Sequence, residues 1–432
     1  MCQIKIAVIG AGSSYTPELI EGFLDNDCFE NSRVVLYDID AGADKAKIIY
    51  ELAKRMVKKS GKNINIELQF NLKETLNDCK FVISQFRVGL LDARVEDERI
   101  PLKYNLVGQE TTGAGGFFKA MRTIPAALEI AHEMERICPD AWLINFTNPS
   151  GIITEAVNNH SRIKCVGLCN VPYNMQADAA KLMNTEPSNL YCEFVGLNHL
   201  SFISEIYHKS KPVMQKLIDE GAFNLQGVKN IPKVKGVSRL IKELGLIPSP
   251  YLQYFYFEKE MIDKQLKELS TAGTRAQQIK AIEAELFKVY KDINVCEKPK
   301  QLEQRGGALY STVALMLIKA LLGVNPMVQV VNYKNNGAIN GIDSNSVVET
   351  NCFINSVGVH PIAYGDMPQA IAGLVKQVKA YETLTIRASV YRSRSIAIQA
   401  LINNPLVHSY SSAVSLIDNM SALYEKYTGK LR

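Results

Sequence analysis

The first part of the chain alternates between two hydrophobic periods. Short apolar, β-branched runs fall at residues 4–9, 34–37, 81–85, 141–146 and 163–168, each followed by a polar or glycine-rich turn. Between them lie stretches with apolar positions three and four apart, as in 43–59 and 122–137. Runs that are apolar throughout suit strands buried on both faces, and helical crossovers make such neighbours parallel. The pattern predicts a Rossmann-like, doubly wound parallel sheet over residues 1–170. Ligands of that architecture sit at the carboxyl ends of the strands.

After about residue 190 the pattern changes. Extended runs at 191–207, 327–332 and 346–359 are interspersed with long helical stretches at 259–290, 308–323, 367–403 and 411–427. Residues 171–432 are therefore expected to form an α+β lobe carrying substrate and metal contacts and an oligomerisation surface. The predicted fold class is α/β followed by α+β. Residues 208–250 are the least regular and are expected to carry a mobile loop. No internal repeat or low-complexity segment stands out.

Composition narrows the function classes. A net charge of +5 over 432 residues, with no long Lys/Arg run, gives no electrostatic footprint for nucleic acid. It suits a small anionic substrate. No apolar run approaches the roughly 20 residues that span a bilayer, so no membrane partner is expected. The chain enters a strand at once, and no signal peptide is expected. Nine cysteines show no framework spacing, and Cys79, Cys138, Cys165 and Cys192 lie in apolar surroundings. Reduced thiols and a cytoplasmic location follow.

The turn after the first strand reads Gly10-Ala11-Gly12-Ser13-Ser14-Tyr15, with a helix from Thr16 onward. Glycine lets backbone approach a pyrophosphate at the positive end of that helix. The third glycine of the usual fingerprint is replaced by Tyr15. Asp38, at the end of the second strand, is placed to hold ribose hydroxyls and favours NAD over NADP. Gly10, Gly12, Ser13, Ser14 and Asp38 are the candidate cofactor residues.

Two further segments, Gly167-Leu168-Cys169-Asn170-Val171-Pro172 and Gly196-Leu197-Asn198-His199-Leu200, each set a metal-ligand side chain beside an amide. Cys169 and His199 are either core residues or a pair of ligands; as ligands they suit a catalytic metal with open positions, because structural zinc takes four. Near them in the pattern are Asn145-Phe146-Thr147-Asn148-Pro149, Phe86-Arg87-Val88-Gly89 and Arg94 at strand ends, and Gly108-Gln109-Glu110-Thr111 before a glycine cluster at 113–116. Arginine at such an edge can clamp a phosphate bidentately, although Arg94 also has Glu96, Asp97 and Glu98 as possible ion-pair partners. The run Pro250-Tyr251-Leu252-Gln253-Tyr254-Phe255-Tyr256-Phe257 offers tyrosines as proton acceptors, with Tyr254 and Tyr256 expected in the core.

Together these motifs resemble glycoside hydrolase family 4, and within it the 6-phospho-β-glucosidases. Further segments that carry the resemblance are Arg99-Ile100-Pro101-Leu102-Lys103-Tyr104 and Asn335-Asn336-Gly337-Ala338-Ile339. The family is NAD-dependent and does not use two carboxylates. The resemblance implies oxidation of the sugar at C3 by NAD⁺ and metal chelation by the C2 and C3 oxygens. Removal of the C2 proton by a tyrosine, elimination of the aglycone, hydration and reduction follow. It implies Mn²⁺ as the metal, Cys169 and His199 as its ligands, and Tyr251 as the base. It implies Asn148, Arg94 and Arg275 as substrate contacts, the last reaching the phosphate. Asn170, the residue after the cysteine, enters both the catalytic and the substrate set. An Asp there marks the α-specific branch, so Asn170 resembles the β-specific pattern. The expected substrates are phosphorylated disaccharides or aryl glucosides such as cellobiose 6-phosphate, and the expected assembly is a homodimer or homotetramer. The competing reading is an NAD-dependent dehydrogenase of a sugar phosphate or hydroxy acid, which would accumulate NADH.

Overall fold

A computed structural model describes residues 4–221, 234–305 and 309–432. The expected apolar runs form β1 (Lys5–Ile9), β2 (Arg33–Tyr37), β4 (Phe81–Ser84), β5 (Trp142–Asn145) and β6 (Lys164–Gly167). β3 (Asn65–Gln69) joins them at the edge. Its sequence, Asn-Ile-Glu-Leu-Gln, alternates because an edge strand buries one face, so it lacks the continuous apolar signal. These six strands are parallel in the order β6–β5–β4–β1–β2–β3. The chain reverses its direction of travel between β1 and β4, which is where a crevice opens at the strand ends.

The sheet does not end at β6. β11 (Met327–Lys334), β12 (Val347–Asn355) and β13 (Gly358–Pro361) extend it to nine strands, all antiparallel to their neighbours. The seam is the pair Asn332 and Gly167. A Cβ on Gly167 would lie 2.9 Å from the Asn332 Cβ and 2.3 Å from Thr154 Oγ1, so only glycine fits there. A second sheet, β7 (Leu190–Leu197), β8 (Leu200–His208), β9 (Lys211–Pro212) and β10 (Ile247–Pro248), is antiparallel. The extended run at 191–207 is thus a hairpin with Asn198-His199 at its turn.

Two long helical stretches are each broken once. Gly273 (φ +76°) and Thr274 separate Glu258–Thr271 from Arg275–Lys291, and Thr274 forms a capping box with Gln277. Gln369–Tyr391 and Arg394–Asn403 are divided at Arg392, with Ser393 capping the second. The glycine cluster at 113–116 is helical, opening the helix Gly113–Ile137. A Cβ at Gly115 would meet Gln109 O at 2.3 Å, so close packing, not a turn, demands glycine. Arg94, expected at a strand end, lies on the helix Leu90–Leu102. That helix has no clear apolar stripe because Asp97 and Glu98 are buried in it. Residues 222–233 of the expected loop lie outside the described residues; the rest of 208–250 includes the helices Met214–Asp219 and Val237–Leu244. Among the described residues, no helix is long and apolar enough to cross a membrane.

Candidate active site

The cofactor turn is built as its glycines require. Gly10 has φ +87°, and a Cβ there would strike Phe86 at 2.8 Å. Gly12 donates its N–H to Asp38 Oδ2 at 2.6 Å, while Ile39 N–H donates to Oδ1 at 2.9 Å. Asp38 therefore ties the second strand to the turn, and burial raises its carboxyl above the usual range despite both bonds. Ser13 and Ser14 lead into the helix Thr16–Leu24. Ser14 Oγ is buried with no hydrogen-bond partner among the described residues. Two glycines, a helix N-terminus and an unpartnered hydroxyl make a suitable cradle for a dinucleotide pyrophosphate.

Cys169 follows β6 and caps the helix Asn170–Leu182. Burial pushes the pKa of its thiol far up, only partly offset by the nearby Val171 backbone and Asn198 side chain. His199 sits in the β7–β8 turn at φ +64°. Its ring lies flat on that of Tyr251, with centroids 3.7 Å apart and planes 9° from parallel. Burial drives the His199 pKa down to about 3, aided by the Lys119 charge, so the imidazole is neutral. His199 Nδ1 is buried and has no hydrogen-bond partner among the described residues. A neutral imidazole with an unpartnered nitrogen and a thiol joined to the same turn fit a divalent metal. Among the described residues, no group of three or more His, Cys, Asp or Glu side chains is arranged to hold one. A divalent metal here would have Cys169 and His199 as its protein ligands, with its other positions open to substrate oxygens.

Tyr251 is the middle residue of the short turn Pro250–Leu252, just before Gln253–Tyr256. Burial raises its pKa well above the ordinary phenol, and the neighbouring Cys169 and Tyr310 add to this. A metal cation beside it would act in the opposite sense. Tyr254 is buried in the core, as expected, and Tyr256 is half-buried.

Beside these residues is a charge cluster centred on Glu110. Arg87, Arg94 (2.8 Å) and Lys119 (2.8 Å) all pair with its carboxylate. Burial alone would raise the Glu110 pKa, but the three cations hold it well below the normal range. Burial, with the Arg87 charge, brings Lys119 down to about 7. Three cations on one carboxylate leave a positive surplus close to Tyr251 and His199.

Arg94 also pairs with Glu98 at 2.7 Å, and Glu98 accepts the Ala276 N–H at 2.7 Å. That contact brings Arg275 to Arg94; burial and then the Arg94 charge lower the Arg275 pKa. The partners of Arg94 are thus Glu98 and Glu110, not Glu96 or Asp97. Asn148 is half-buried at the end of β5, where its amide donates to Phe146 O at 3.4 Å. Asn170 is buried directly after Cys169. The structure therefore gathers Cys169, His199 and Tyr251 around one turn, and joins Arg94 to Arg275 through Glu98.

Residue-level reading passed over Lys119, Tyr310 and Glu349. Lys119 interrupts the apolar run Phe117-Phe118-Lys119-Ala120-Met121, and Glu349 interrupts Val347-Val348-Glu349. A lone charge inside an apolar run is the signal that marked both, since such a charge is seldom fully buried without partners.

A model described as family 4 glycosyl hydrolase matches residues 5–185, and one for the family 4 glycosyl hydrolase C-terminal domain matches residues 194–407. A Bacillus subtilis protein named "Probable 6-phospho-beta-glucosidase" is 44% identical over 98% of this chain and 97% of its own length. The 6-phospho-beta-glucosidase of Escherichia coli is 38% identical over 98% of this chain and 96% of its own. The solved structure of the Thermotoga maritima 6-phospho-beta glucosidase with manganese, NAD⁺ and glucose-6-phosphate superposes with a TM-score of 0.90. It is 36% identical, and each chain is covered in full.

Proposed function

Since this chain belongs to family 4 of the glycosyl hydrolases, we propose a division of labour among its residues for the hydrolysis of 6-phospho-β-glucosides. The enzyme is an NAD- and divalent-metal-dependent glycosidase. It releases glucose 6-phosphate and an aglycone by oxidation at C3, loss of the C2 proton and elimination. When bound, NAD⁺ supplies a reversible hydride acceptor, and a divalent metal such as Mn²⁺ supplies Lewis acidity at the sugar oxygens.

Cys169 and His199 hold the metal, and Gly10, Gly12, Ser13, Ser14 and Asp38 hold the dinucleotide. Tyr251 accepts the proton from C2. Its hydroxyl is kept protonated by burial until the loaded site favours the phenolate. Arg94 and Arg275, brought together through Glu98, bind the 6-phosphate, and Asn148 binds a sugar hydroxyl. Asn170 contacts the substrate but is not an acid, so this chain supplies no carboxylic proton at that position to the leaving group. Residues 1–170 carry the cofactor, and 171–432 carry His199, Tyr251 and Arg275. The observation that supports this assignment best is the stacking of Tyr251 on His199, because it puts the proton acceptor directly against a ligand.

The reading extends to a cytoplasmic homodimer or homotetramer. The free cysteines among the described residues support a reducing compartment. Exposed Val328 on β11, Phe353 on β12 and Val357 in the β12–β13 turn support self-association. The test of function is hydrolysis of paired α- and β-nitrophenyl 6-phosphoglucosides with NAD⁺ and Mn²⁺ supplied or withheld. Cleavage of the β-anomer alone, dependent on both additions and without net NADH, is expected. Preference for the α-anomer or stoichiometric NADH would overturn it.

A further inference from the structure

Glu349 on β12 is 1% exposed. The three donors its carboxylate meets are all uncharged. Asn198 Nδ2 (3.1 Å) and Asn332 Nδ2 (3.0 Å) donate to Oε1, and Ser201 Oγ (2.7 Å) donates to Oε2. Burial raises its pKa. Asn198 and Ser201 flank His199 in the β7–β8 turn, so one carboxyl grips that turn on both sides of the ligand. Asn198 also lies close enough to the Cys169 thiol to lower its pKa slightly against the effect of burial. A continuous path therefore runs from Glu349 through Asn198 to one ligand and, along the backbone, to the other.

The two residues after Glu349 fasten β12 to β7 further from the ligands. Thr350 Oγ1 donates to Phe194 O at 3.0 Å, Asn351 Oδ1 accepts Phe194 N–H at 2.7 Å, and Asn351 Nδ2 donates to Cys192 O at 2.9 Å. Those contacts dock the second sheet on the first. Glu349 is the member of this trio that acts at the turn, where His199 holds a left-handed backbone conformation that L-residues adopt reluctantly.

We propose that Glu349 is a positioning residue for the metal: through Asn198 and Ser201 it fixes the His199 turn at the spacing from Cys169 that a shared ion requires. This inference rests on the metal site assigned above. Carboxylates behind first ligands commonly set metal affinity in this way, by orienting the ligand and not by touching the ion.

The test is Mn²⁺ binding to the full chain without substrate, followed by the electron paramagnetic resonance of free Mn²⁺, with NAD affinity and Tm measured in parallel. Glu349→Ala is expected to weaken Mn²⁺ binding by about 10- to 100-fold, with NAD affinity essentially unchanged and Tm lowered, because three buried donors lose their acceptor. Glu349→Gln keeps a carbonyl for the two amides and lets the Ser201 hydroxyl turn to accept, so it is expected to restore most of the affinity. Asn198→Ala tests the same path from its other end if Glu349→Ala folds poorly. The double variant is expected to bind no worse than the weaker single one, because both remove one link. Wild-type Mn²⁺ affinity in both Ala variants, or equal losses of Mn²⁺ and NAD affinity, would overturn the proposal. So would a Gln variant as weak as Ala. Cys169→Ser separates the two levels: if it binds Mn²⁺ as tightly as wild type, the metal site itself is misassigned, whereas its failure alongside an unaffected Glu349→Ala removes only the positioning role.

Discussion

The imidazole of His199 and the phenol of Tyr251 lie face to face, 3.7 Å between centroids. The stack fixes the direction of the phenol without using its hydroxyl. Tyr251→Phe therefore preserves the packing and removes only the proton acceptor. Its kcat is expected to fall on the order of 10²- to 10⁴-fold, with Mn²⁺ and NAD binding retained. In deuterated water, wild-type product should carry deuterium at C2, and the Phe variant should lose exchange and cleavage together. Exchange that persists at the wild-type rate in Tyr251→Phe would assign the proton to another base.

Replacing Cys169 by serine should abolish turnover while leaving the fold and NAD affinity intact. A buried hydroxyl is a harder, less readily ionised donor than a thiol. Activity assays with added Mn²⁺, together with circular dichroism and NAD titration, distinguish loss of the ion from loss of the fold. Full activity in Cys169→Ser would take this residue out of the site.

The neighbour of Arg275, Ala276, is bonded to the Glu98 that pairs with Arg94, and the Arg275 charge is already disfavoured by burial and by Arg94. A phosphate dianion relieves both. Arg275→Ala is expected to raise KM for the phosphorylated substrate by about 10- to 100-fold, the scale of a charge-assisted bond of roughly 1.5–3 kcal/mol. Activity on the non-phosphorylated glucoside, already very low, should hardly change. An equal drop on both substrates would show that Arg275 does not read the phosphate.

Lys119 predicts a pH signature. Its pKa falls from 10.5 in a free lysine to about 7 in the folded protein. Between these values the unfolded chain binds a proton that the folded one does not, so stability gains with rising pH across about pH 7 to 10. Below pH 7 the cost of the buried ammonium is fully present. Urea unfolding of wild type relative to Lys119→Met should show a difference that grows with pH, on the order of 1 kcal/mol per unit. A flat difference across that window would mean that Lys119 titrates elsewhere.

The strands that the sequence displayed most clearly are those buried on both faces. β1, β2, β4, β5 and β6 each read as a continuous apolar run, while β3 was hidden by its half-exposed alternation. The breaks at Gly273-Thr274 and Arg392-Ser393 were hidden for a different reason. Helical periodicity survives across a tight turn, and only the capping residues betray it. Cys169 and His199 stood out in the sequence only through the residues around them, since a lone cysteine and a lone histidine more often belong to a core. The roles of Tyr251, Asn148 and Arg275 came from the family resemblance, since spacing alone makes them an aromatic stripe, a turn amide and a surface cation. The Glu110 cluster was illegible as a unit. Its cations come from two helices and a loop, and nothing local to Arg87, Arg94 or Lys119 announces that they share one carboxylate.

The glycine at 167 has a mechanical consequence. The strand ahead of Cys169 and the strand bearing Asn332 meet there through a single backbone pair, with no side chain between them. The cofactor half and the C-terminal half are thereby stitched into one sheet. A swinging motion about residue 170 would have to shear that seam and carry Asn332 away from Gly167. Access for a bulky aglycone must therefore come from segments outside the nine strands, and a side chain grafted at 167 would wedge the stitched halves apart two residues from Cys169.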